Sequence, residues 1–264
     1  MIVLLLFLVA LLASLGGSIC GIGGGVIIKP ALDATGIMSV SSINFLSGCT
    51  VFAMSIVSVY KNMRNGKTRI NVKTATLLAI GAAAGGIIGK VLFQVLKESV
   101  GNEQLVGMIQ AIVLIVITGA TLIYTIWKQK IQTRNCVNPV VCLMIGILLG
   151  IMSSFLGIGG GPVNLVVLSY FFSMTTKEAA LSSLYIIMFS QAASLGQTFI
   201  THTMPEIKFT YFAVMLAGGI LGGNVGSMVN KRIKEERVNQ LFIFLMVVII
   251  LINVFNAIKF GARC

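Results

Sequence analysis

Met1–Gly25 reads MIVLLLFLVALLASLGGSICGIGGG: twenty residues without a charge, then a pentapeptide in which only Ile22 is not glycine. The apolar run is long enough to cross the hydrocarbon core of a membrane as a helix, which takes ~20 residues. Gly21-Ile22-Gly23-Gly24-Gly25 should end that helix, since each glycine costs a helix interior about 1 kcal/mol relative to alanine. Backbone freed at membrane depth must face a cavity or a ligand. The arrangement returns later, where Val140–Phe155 leads into Gly157-Ile158-Gly159-Gly160-Gly161, 136 residues after the first pentapeptide. A cleaved leader would not recur inside the chain and would carry a basic segment before its apolar run. Residues 2–19 therefore belong to the fold.

A second pattern repeats at nearly the same spacing. Gly81-xxx-Gly85-Gly86-xx-Gly89 recurs as Gly218-xxx-Gly222-Gly223-xx-Gly226, 137 residues later. Small residues on one helix face let neighbouring helices approach closely in lipid, so this pattern reads as packing. Between the two patterns, Ser41-Ser42 aligns with Ser182-Ser183 once a five-residue insertion is allowed, which sets Gln191 opposite Thr50. The chain divides into two related halves, 1–134 and 135–264.

Composition fixes the solvent. Of 264 residues, 57% are hydrophobic and 10% charged, with a mean hydropathy of +1.01. Water-soluble domains have about 45–50% apolar and about 25% charged residues, so a soluble, disordered or disulfide-stapled chain is excluded. Apolar blocks fall at 2–36, 40–60, 74–96 and 104–127, then at 139–173, 178–200, 209–229 and 238–258. The fold expected is an all-α polytopic membrane protein. Each half has a Gly-broken first helix (a re-entrant hairpin) followed by three transmembrane helices. Five cysteines form no CxxC pair, and the single histidine, His202, excludes an HExxH zinc site. With no GxSxG elbow and no phosphate loop either, the sequence predicts no enzyme, no cofactor and no metal.

The net charge of +12 reads as orientation rather than as affinity for nucleic acid. With inverted halves, thirteen Lys/Arg fall on the cytoplasmic side: five in Lys61–Lys73, then Lys128, Lys130, Arg134, Lys177 and four in Lys231–Arg237. Four lie outside, Lys97, Lys208, Lys259 and Arg263, whereas parallel halves give eleven and six. The inverted arrangement fits the positive-inside rule better.

The two GxGGG segments, each near the end of its half's first apolar block, resemble the TauE/SafE family of sulfite and organosulfonate exporters. Pro30 matches the proline that follows GxGGG in that family. Leu181-Ser182-Ser183-Leu184 and, more loosely, Val40-Ser41-Ser42-Ile43 resemble its GTSL segment. The second half departs from the pattern, with Val166 in place of the proline and Pro162 directly after the glycines. The resemblance covers nearly the whole chain. It implies a multi-pass protein of the cell membrane that carries a small sulfur-containing anion, sulfite or an organosulfonate. Export is favoured by an interior-negative potential, worth about 2.3 kcal/mol per charge per 100 mV. Import of a related oxyanion such as thiosulfate, or a non-transporting membrane subunit, are the alternatives. The expected partners are the anion and the lipid bilayer, and homodimer formation stays open.

A small oxyanion needs N–H donors, hydroxyls or amides, and at most one cation. The candidates are the backbone around Gly23, Gly24 and Gly25 and around Gly159, Gly160 and Gly161. Ser41, Ser42 and Asn44 join them from the second block, and Ser182, Ser183, Tyr185 and Gln191 from the sixth. Lys29 could oppose an anion at the first break, or pair with Asp33 four residues on. Lys90 is expected to snorkel to the interface. Cys20 and Cys49 are expected to be inert small hydrophobes.

Overall fold

The computed structural model describes residues 2–64, 71–136 and 138–262, and the architecture among them is entirely helical. The first half holds α1 (Ile2–Cys20), α2 (Gly25–Thr35), α3 (Val40–Arg64), α4 (Val72–Val100) and α5 (Glu103–Trp127). The second holds α6 (Pro139–Phe155), α7 (Pro162–Phe172), α8 (Thr176–Ile200), α9 (Phe209–Arg232) and α10 (Glu235–Gly261). Seven of these helices are long and apolar enough to cross a membrane, and α6, with 17 residues, falls just short. By contrast α2 and α7 have 11 residues each, ~16 Å of helix, and cannot span.

Local chemistry sets the ends. Asn71, Asn102 and Asn138 cap α4, α5 and α6 through their side chains, and Thr175 forms a reciprocal box with Glu178 at α8. Gly36 and Gly101 close α2 and α4 in the left-handed conformation. Both glycine pentapeptides interrupt their helices as the sequence predicts, with positive φ at Gly21 and Gly23 and again at Gly157 and Gly159.

The helices are shared between halves. A Cβ added to Gly81, Gly85 or Gly89 of α4 would come within 2.1–2.4 Å of carbonyl oxygens of α6. Gly218, Gly222 and Gly226 of α9 meet the backbone of α1 in the same way. The contacts advance together along both chains, from Leu143 to Ile151 on α6 and from Phe7 to Leu15 on α1, so each pair runs parallel. Gly219 and Gly223 of α9 also climb α3, past Thr50 and then Met54, while Gly86 of α4 meets Ser190 of α8.

Between α3 and α8 the order reverses. Phe45 stacks edge-on against Phe199 at 6.2 Å, Gly48 faces Gln191 and Leu195, and Val51 shares a cluster with Ile187. These two helices, equivalent in the repeat, therefore run antiparallel. Both contain 25 residues and they begin 136 residues apart, which aligns α3 with α8 with no insertion.

That register corrects the serine alignment of the sequence reading. Ser47 corresponds to Ser183, Asn44 to Ala180 and Ser55 to Gln191. The contacts agree: Gly21 lies on Ala180 as Gly157 lies on Asn44. Ser-Ser pairs are common on small-residue helix faces, and the two pairs here are coincident in type rather than in place.

After the first break the chain turns back alongside α1. Gly24 rests on Ser14, and Ile28 and Leu32 of α2 share an apolar cluster with Leu6, Ala10 and Ala13 of α1.

Candidate functional site at the crossing of the glycine breaks

The two glycine segments meet. A Cβ on Gly23 would lie 3.4 Å from the Gly159 carbonyl oxygen and the same distance from Ile187, and one on Gly25 would lie 2.1 Å from the Ile158 oxygen. From the other side, Gly160 approaches the Ile22 oxygen and Gly161 approaches Val26. Val51 and Ile187 sit near the midpoints of α3 and α8 and press on the crossing, both fully buried. The crossing thus lies at mid-height of the helix bundle.

Few of its amides are satisfied. Gly21 and Ile22 N–H return to the Gly17 carbonyl, and Gly157 and Ile158 N–H to Ser154 and Ser153. The N–H groups of Gly23, Gly24, Gly25 and Val26, and of Gly159, Gly160, Gly161 and Val163, have no such acceptor among the described residues. All except Val163 belong to buried residues. A buried amide left without a partner costs ~1–3 kcal/mol, and free amides are what a helix N-terminus offers to a polar or anionic group. The first turns of α2 and α7 begin at this point, and their dipoles add positive potential to it.

Hydroxyls stand close by. The Ser47 oxygen is 2.9 Å from the Cβ position of Gly25, and the Ser14 oxygen 3.0 Å from that of Gly24. Neither has a hydrogen-bond partner. Ser183, the counterpart of Ser47, accepts a 3.3 Å bond from Asn164 Nδ2. Ser47, Ser14 and Asn164 escaped the sequence reading because nothing in a single polar residue on an apolar helix shows which way it faces.

The sequence matches the family described as sulfite exporter TauE/SafE over residues 6–252. The chain belongs to the TauE/SafE family. It is also similar to "Probable membrane transporter protein YunE" of Bacillus subtilis (strain 168), 20% identical over 262 residues, 93% of this chain and 94% of that protein. No solved structure matches it. Membership makes this a multi-pass protein of a membrane-transporter family, and the remaining candidate residues divide on that scaffold as follows.

Of the predicted residues, the six glycines meet at the crossing and Ser183 borders it. Ser182 is fully buried with an unpartnered hydroxyl. Asn44 lies against Gly157, and Gln191 Nε2 reaches Ser153 Oγ at 3.4 Å. Tyr185 is partly buried and packs on Phe189, ring centres 5.0 Å apart.

Ser41 and Ser42 are elsewhere. Ser41 Oγ donates to Glu103 Oε1 at 2.8 Å and accepts from Lys97 Nζ at 2.9 Å, while Ser42 Oγ donates to the Glu206 carbonyl. With Lys97 and Glu103 they line a mouth of ≈ 520 Å³ at the end of the bundle where α3 and α5 begin. Lys177 and Glu235 form the matching contact at the start of α8 and α10.

Lys29 resolves toward the local pair. Its Nζ donates to Asp33 Oδ2 at 2.7 Å, with the two side chains 1% and 5% exposed. One helical turn brings the two together, and burial makes each the other's best counter-charge. Asp33 Oδ1 has no partner. Lys90 is partly exposed and lines a small cavity with Asn44, Gly157 and Gln191. Cys20 and Cys49 are buried free thiols.

Proposed function

We propose that the protein is a secondary transporter that moves a small sulfur-containing anion, sulfite or an organosulfonate, out of the cell. The observation that carries this reading is the set of eight N–H groups without acceptors at the meeting of the two glycine breaks. Backbone donors converging from two helix N-termini complement an oxyanion, and they do so without a fixed counter-charge that would hold it too firmly for release. The family's description points to the same chemistry.

In this reading the halves are inverted repeats and the pairs α1–α2 and α6–α7 are re-entrant hairpins in the cell membrane. Opposed α3 and α8, the return of α2 along α1, and the basic residues at the ends of α3 and α9 all support it. The crossing then lies near the bilayer midplane, where Val51 and Ile187 close it from opposite sides. Motion of one half against the other would part those side chains on one face at a time. An anion leaves down the membrane potential without a coupling ion, since ~2.3 kcal/mol per charge at 100 mV biases the equilibrium by about 50-fold.

Purified protein in sulfite-loaded liposomes with an imposed potassium potential tests this. Efflux should exceed that of protein-free liposomes and should rise with an interior-negative voltage. Efflux that ignores both the protein and the voltage would refute it.

A further inference from the structure

The halves match closely enough that one departure between them carries information. At the 136–137-residue register, Ser18, Ser58 and Ser227 of one site correspond to Ser154, Ser194 and Lys90 of the other. The three serines are closed on one another. Ser18 Oγ lies 2.8 Å from Ser58 Oγ and 3.2 Å from Ser227 Oγ. All three also reach the Gly223 carbonyl, at 3.2, 3.3 and 2.7 Å. Each of the three hydroxyls has its partners.

The other site is open. Lysine replaces the third serine, and Asn44 and Gln191 stand where the first site has Ala180 and Ser55. Ser154 Oγ and both ends of the Asn44 amide have no hydrogen-bond partner, although these residues are only 6% and 7% exposed. With Lys90, Gln191 and Gly157 they line a cavity of ≈ 20 Å³, room for one water-sized group.

Lys90 itself is unpaired. The two ion pairs among the described residues are Lys29–Asp33 and Lys97–Glu103, and the Lys90 ammonium sits 5.6 Å over the Phe93 ring. Ten residues of α4 follow it before Val100, ~15 Å of helix, and Lys90 lines the cavity beside Asn44 and Gly157. A lone cation within a spanning helix, facing unsatisfied donors and no carboxylate, is arranged for an anion.

We propose that Lys90, Asn44, Ser154 and Gln191 form a second anion station, built in one half only. It lies beside Gly157, between the crossing and the end of the bundle that carries the α4–α5 turn. The ammonium supplies charge, and Asn44 Nδ2 and the Ser154 hydroxyl donate to a single oxygen of the small oxyanion, the one group that the cavity admits. This inference rests on the anion-transport reading above, and places a positive charge inside the bundle on the substrate's path.

Sulfite binding, read as the rise in melting temperature of detergent-purified protein, and sulfite flux in liposomes test it together. Lys90→Gln should raise the half-saturating sulfite concentration about tenfold in both assays, the scale of one lost charged hydrogen bond. Lys90→Arg should stay within about threefold of the parent protein. Asn44→Asp hands Lys90 an internal carboxylate, so it should match Lys90→Gln in affinity while melting no lower than the parent. It therefore decides the matter even if Lys90→Gln does not fold. Half-saturation within about twofold of the parent for every folded variant would overturn the station and leave the transport reading standing. A parent protein that neither binds nor moves sulfite would overturn both.

Discussion

Gly157 is held to glycine twice over. Its φ is +64°, and a Cβ there would fall 2.2 Å from Asn44 Oδ1. Gly101 has nearly the same φ, +63°, with nothing within 4 Å of its Cβ position. Ala at Gly101 should therefore cost only the backbone penalty, about 1–2 kcal/mol. Ala at Gly157 should cost clearly more and lower the melting temperature further. Equal losses in a thermal melt of the two variants would count against the contact with Asn44. Single side chains were also where the sequence was least legible. Lys90 stood out as a charge inside an apolar block, but snorkelling and a cavity look alike until the neighbouring helix is placed. Ser41 and Ser42 are candidates by residue type alone, and a shift of five residues along α3 takes a side chain from the crossing to the mouth beside Glu103. Lys29 was readable to the extent that i, i+4 geometry offered Asp33 as its partner.

At the scale of elements, periodicity told more. GxxxGGxxG marks a smooth face, and both copies do meet another backbone at that face. The pattern could not say whose, because a groove of glycines accepts any helix that fits it. Only the fold shows α4 receiving α6 and α9 receiving α1. Two glycines separate packing from propensity here. Gly85 of α4 leaves a Cβ 2.1 Å from the Ile147 carbonyl, whereas Gly119 of α5 has open space around it. Gly85→Ala should force α4 and α6 apart and lower the melting temperature. Gly119→Ala should raise stability by up to about 1 kcal/mol, the ordinary gain of alanine over glycine in a helix. If thermal melts rank the two the other way, the close contact is not what the glycines are for. The helix breaks were equally legible, since four glycines in five residues leave little else, but that the two breaks touch is a property of the assembled bundle.

For the whole molecule, the charge distribution favours the inverted orientation, and opposed α3 and α8 are consistent with it. Asn102, in the α4–α5 turn, and Glu236, at the start of α10, are both exposed and lie at opposite ends in the inverted reading. A membrane-impermeant maleimide applied to intact cells should label Asn102→Cys and should reach Glu236→Cys only after permeabilisation. Labelling of both from outside would refute the inverted arrangement. The exchange of first helices between halves also has a consequence for synthesis. Ser18 of α1 meets Ser227 of α9, 209 residues further along the chain. At ~5–20 residues per second of translation, α1 waits about 10–40 s in the bilayer before its partner is made, whereas α6 emerges to find α4 already there. A helix that must wait alone in lipid has to be at ease in it, and Ile2–Cys20 carries no charged or amide side chain over its whole length.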